Sequence, residues 1–173
     1  MIRPRGGNFE YTDDEFSDMK QSLAVFLTMG ADGFVFGILK DGFINTRRCG
    51  ELVELAKDKP CTFHRAFDEL VDMETGLRDV ISCGFRAVLT SGGKSDAVSR
   101  VEKLKALVSR TRLDESVDII VGGGVRASNI TSVLETTTAT WFHSSALLEP
   151  TENALVSLQE VIEMKKALAG TPP

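Results

Sequence analysis

Six short apolar runs, rich in β-branched and aromatic residues, alternate along this chain with stretches of helical periodicity. They are residues 1–7 (MIRPRGG), 33–39 (GFVFGIL), 61–67 (CTFHRAF), 87–93 (AVLTSGG), 118–124 (DIIVGGG) and 140–146 (TWFHSSA). Strands alternating with helices in this way read as βα units on a parallel sheet, an α/β fold.

The helical stretches carry their own start and stop signals. Thr12 and Glu15 fit a capping box, with acids in the first turn and Phe16, Met19, Leu23, Phe26 and Leu27 on one face before Gly30. Thr46 precedes a helix carrying Leu52, Val53 and Ala56. Asp72 or a neighbour opens one with Leu77, Val80 and Ile81, ended by Gly84. Ser95 opens another, Ser128 precedes Ile130, Val133 and Leu134, and Thr151 precedes Leu155, Leu158 and Ile162.

Such units close into a barrel or lie in an open doubly wound sheet. Glycine or polar residues at every strand's C-terminal end favour the barrel, whose βα loops form its site. An open sheet concentrates them at one switch point. A closed barrel needs eight strands, and the chain offers six. The expectation is a TIM-barrel-like repeat of about six βα units, a single domain over residues 1–173 lacking two units. Such an arc leaves parallel edges open to association.

Bulk properties exclude several partners. The net charge of −5 and pI near 5.1 argue against a nucleic-acid footprint, which needs a basic face. No apolar run approaches the length of a membrane span, and the N-terminus has no signal-peptide core. Three widely spaced cysteines without a CxxC argue for a reducing compartment, the cytoplasm.

The chain has two histidines, and both follow Phe at a run's end, in TFHRAFD and WFHSSA. Strand alternation puts residues of one parity on one face. It assigns Phe63 and Phe142 to the helix layer, and His64, His143, Arg3 and Arg5 to the barrel mouth. Basic groups converging there favour an anion. Gly122, Gly123, Gly124 and Ser144 add backbone amides and a hydroxyl near a helix N-terminus. His64, Asp68 and His143 are candidate acids and bases. The alternatives are that the glycines only permit a tight turn, and that Arg3 and Arg5 pair with Asp32 or Asp68.

Taken in order, MIRPRGG, ADGFVFGIL, TFHRAFD, LTSGG, VGGGV and FHSSA resemble the CutC family over roughly residues 1–146. The resemblance implies a TIM-barrel-like fold, a cytoplasmic copper homeostasis role with copper ion as the bound metal, and a homo-oligomer. It also implies shortening at the N-terminus by about two βα units, including a cysteine linked to Cu(I). Cu(I) prefers thiolate and accepts imidazole. Cys61 and His64 fall on opposite faces of one strand, so His64 and His143 remain as the metal candidates.

Three functions compete: copper homeostasis through His64 and His143, a barrel enzyme acting on a phosphorylated or carboxylated small molecule, and a non-catalytic fragment that pairs with itself or a full-length partner.

Overall fold

The computed structural model describes residues 1–114, 117–147 and 155–170. Their contacts divide them into two compact units. One draws on residues 1–89 and 117–118, the other on residues 90–114, 119–147 and 155–170.

In the first unit, α1 (Asp13–Thr28) is followed by β1 (Phe34–Phe36) and a hairpin of β2 (Leu39–Lys40) and β3 (Phe43–Ile44). Then come α2 (Thr46–Leu55), β4 (Cys61–Phe63), a 3₁₀ turn (Arg65–Glu69), α3 (Met73–Ser82) and β5 (Ala87–Thr90). β1 pairs in parallel with β4, Phe36 opposite Phe63, and β4 with β5, Phe63 opposite Val88. These strands bury their aromatic residues together. The Phe63 ring lies edge-on to Phe85 at 5.2 Å, and Phe36 lies tilted against it at 5.0 Å, contacts that add roughly 0.5–1.5 kcal/mol beyond burial.

Local signals explain the helix starts. Thr12 accepts from the Glu15 amide while the Glu15 carboxylate accepts from Thr12, the capping box expected. Asn45 caps α2 and Asp72 caps α3. Gly30 and Gly84 follow their helices at φ +85°, the left-handed stop. Asp41 and Gly42 both take positive φ, which makes the β2–β3 connection a type I′ turn.

The second unit holds α4 (Val101–Asp114), most of β6 (Asp118–Val121), α5 (Ile130–Thr137), β7 (Trp141–Phe142) and α6 (Leu158–Ala169). β6 pairs in parallel with β7, Val121 opposite Phe142. The Ala127 amide donates to the buried Glu160 carboxylate at 2.7 Å, tying α6 to the loop before α5.

The strand order is β1-β4-β5-β6-β7, and among the described residues it runs from β1 to β7 without closing. The parallel α/β, TIM-barrel-like arrangement agrees with the sequence reading; its details differ in places. Residues 1–7 form no strand, although the Ile2 amide donates to Val35 O at 2.8 Å. Pro4 has no N–H to give to a ladder, and Gly6 and Gly7 lack the side chains that hold a strand extended. α4 begins at Val101 because Asp96 first closes a turn on Ser99. Ser157, not Thr151, caps α6; Thr151 lies outside the described residues. The apolar residues of that last stretch find little cover: Leu155 and Leu158 stand exposed, and Ile162 is only partly covered.

Candidate functional site

Residues 3–10 form a largely exposed strap across the first unit, fixed by its backbone and by one arginine, and lead to the buried Tyr11. The Leu39 amide donates to Phe9 O at 2.9 Å, and the Asp41 amide to the Glu10 carboxylate at 2.9 Å. Arg5 donates to the Glu15 carboxylate at 2.6 Å, to Glu10 O at 2.6 Å and to the Asn8 side chain at 3.0 Å. Its charge is thus committed to the protein, with Glu15 as partner rather than Asp32 or Asp68. Arg3 differs. It donates to Gly7 O at 2.8 Å, lies over the Phe9 ring at 4.6 Å, and has no carboxylate partner among the described residues.

His64 sits where β4 ends, its amide donating to Phe36 O at 3.1 Å. Its side chain is 4% exposed. Nδ1 accepts from the Ala66 amide at 3.3 Å and so caps the 3₁₀ turn. A neutral imidazole with its Nδ1 lone pair so used carries its proton on Nε2. That Nε2 is buried with no hydrogen-bond partner. Burial pulls the imidazole down to about 4, and the Arg3 charge pushes the same way. Phe9 packs at 4.9 Å from the ring, and Gly37 lies so close that an added Cβ would be 2.7 Å from Nδ1.

Alternation stops mattering after Phe63, because the chain turns into the 3₁₀ segment at Arg65. Asp68 is buried there and accepts from Arg65 Nε at 2.7 Å.

Tyr11, absent from the sequence-derived set, is the chain's single tyrosine. It is 7% exposed, and its hydroxyl is the other buried side-chain polar atom without a partner among the described residues. Burial pushes the phenol up, while Arg3 beside it works the opposite way. The only signal in the sequence was its place between RPRGG and the α1 cap.

In the second unit, His143 occupies the corresponding strand end. Its amide donates to Val121 O at 2.8 Å, but the residue is exposed. The two Phe-His pairs therefore share a backbone position and differ in surroundings. The glycine turn commits one amide and two carbonyls to the protein. The Gly122 amide donates to Thr90 O, Gly123 O accepts from Ala97, and Gly124 O accepts from Asn129. Gly123 and Gly124 adopt positive φ, as a tight turn requires. Ser144 Oγ donates to Val125 O at 2.6 Å and accepts from Arg126 at 3.1 Å.

The fit to copper is poor in these residues. Burial pushes all three thiols up, Cys61 to about 11, away from the thiolate that Cu(I) prefers. His64 would have to surrender the Ala66 bond and switch tautomer to present a lone pair at Nε2. Among the described residues, no group of three or more His, Cys, Asp or Glu side chains is placed to hold a metal ion.

A family model described as the CutC family matches residues 1–148. The chain is 42% identical over 147 residues to the copper homeostasis protein cutC homolog of Mus musculus, and 40% identical to that of Homo sapiens. Each match covers 84% of this chain and 53% of the relative, so the chain spans about half the length of these relatives. The crystal structure of the putative copper homeostasis protein CutC from Streptococcus agalactiae superposes with a TM-score of 0.76 at 30% identity, covering 82% of this chain and 69% of that one. The chain belongs to the CutC family.

Proposed function

We propose that this chain takes part in copper homeostasis in the cytoplasm, with copper ion as cargo rather than as a resident cofactor. The observation that carries this reading is the family match across residues 1–148, with relatives named for copper homeostasis. Among the described residues, no helix is long and apolar enough to cross a membrane, which accords with it.

The copper contact we assign is His143 alone. Its imidazole is exposed at the end of β7, whereas His64 is enclosed and its Nδ1 is engaged. One imidazole holds copper weakly, as delivery of a cargo requires. Self-association is part of the same proposal, supported by the exposed Val25, Phe26 and Met29 on and just after α1.

A strain lacking its own CutC protein provides the test. Expressing this chain restores growth in elevated copper, and His143→Ala restores it less. Growth no better than with an empty vector overturns the reading.

A further inference from the structure

We propose that Arg3, Tyr11 and His64 form a recess for the oxyanion group of a small molecule, a carboxylate or a phosphate, with Phe9 as its cover. Nothing in this inference depends on copper.

Tyr11 Oη and His64 Nε2 are the two buried side-chain polar atoms without a partner among the described residues. Folded proteins rarely strand such groups, because each has given up water for nothing. Both lie in the first unit, and the charge of Arg3 acts on both.

All three groups donate. Nδ1 takes the Ala66 amide, which leaves the proton on Nε2. The phenol keeps its O–H to give even where its oxygen accepts from Arg3, and of the other guanidinium N–H groups one goes to Gly7 O. Donors without an acceptor call for a ligand oxygen, and the guanidinium makes that oxygen anionic. Arg5, Arg48 and Arg65 each have a carboxylate among the described residues, whereas Arg3 has none.

Phe9 explains why the recess is closed. Its ring packs on the imidazole and carries Arg3 above it. The Phe9 carbonyl accepts from the Leu39 amide, so opening the recess asks for a rotation of the Phe9 side chain and no movement of its backbone. The sheet needs no change. Arg5, Gly122, Gly123, Gly124 and Ser144 take no part.

The test is calorimetric titration of the full 173-residue chain with inorganic phosphate and, separately, malonate, at constant ionic strength. At least one anion binds saturably at one site, and Arg3→Gln and Tyr11→Phe each weaken it about tenfold, as loss of one charge-assisted hydrogen bond does. Phe9→Ala binds more tightly. Tyr11→Phe without anion keeps or raises Tm, since it removes a stranded hydroxyl, which shows that its weaker binding is not misfolding. Phosphate alone binding identifies a phosphorylated ligand, and malonate alone a carboxylate. Saturation by neither anion, or equal affinity in Arg3→Gln and Tyr11→Phe, overturns the proposal: the stranded atoms then hold water or an adventitious ion only.

Discussion

The Ala66 amide donates to Nδ1 of His64 at 3.3 Å, and this one bond settles which face of the imidazole is left to do anything else. It fixes a neutral ring with its proton on Nε2. Folding keeps the ring neutral to about 4, against an ordinary 6.5. Above pH 6.5 neither folded nor unfolded chain is protonated there, and the contribution is whole. As pH falls from 6.5 toward 4, the unfolded chain takes the proton first and stability drains away, by roughly 3 kcal/mol in all. Denaturant unfolding across that range shows the slope. His64→Asn, which keeps an acceptor for Ala66, flattens it; an unchanged slope contradicts the assignment.

Gly37→Ala destabilises the fold. The new Cβ would lie 2.7 Å from His64 Nδ1 and 3.0 Å from the Phe63 ring, both fixed by packing. Overpacking of this kind costs about 1–3 kcal/mol. Gly50→Ala is the control: it sits within α2 with nothing near its Cβ position, and gains roughly 0.5–1 kcal/mol from helix propensity. Equal effects at both positions would show that Gly37 is not confined.

Arg5→Ala loosens the strap rather than the sheet. It removes the bonds to Glu15, Glu10 and Asn8 while leaving the Ile2–Val35 and Leu39–Phe9 backbone pairs. Limited proteolysis cuts this variant faster between residues 5 and 10, with cleavage elsewhere unchanged. Uniform acceleration would mean that Arg5 supports the whole fold.

Thiol reactivity follows burial. Cys83 is half-buried, whereas Cys49 and Cys61 are enclosed, with Cys61 raised to about 11. A thiol reagent at pH 8 labels Cys83 slowly and the other two only on unfolding. Rapid labelling of Cys49 in the native chain would refute the buried-thiol argument against a Cu(I) site here.

Much of the fold was legible in the sequence because its signals are local. Thr12 with Glu15, Asp72 before its helix, and Gly30 and Gly84 behind theirs each act within one turn. The strands around Phe36, Phe63, Val88, Val121 and Phe142 were legible from composition. Residues 1–7 were not, since an apolar start with paired arginines looks like a strand until Pro4 and the two glycines are counted against the ladder. The site was less legible for the same kind of reason. Side-chain parity holds only while the chain stays extended, so it says nothing of Asp68, which lies beyond the turn at Arg65. Nothing local distinguishes Arg5, which finds Glu15, from Arg3, which finds no carboxylate. Tyr11 acquires meaning only through its tertiary surroundings.

The most direct measurement is a two-bond ¹H–¹⁵N spectrum of histidine-labelled protein at pH 7, with and without Cu(I). One histidine, lost in His64→Asn, shows the Nε2-protonated neutral tautomer, keeps it well below pH 6, and is unmoved by copper. An imidazolium or an Nδ1-protonated ring at His64, or a His64 signal displaced by Cu(I), would contradict the account.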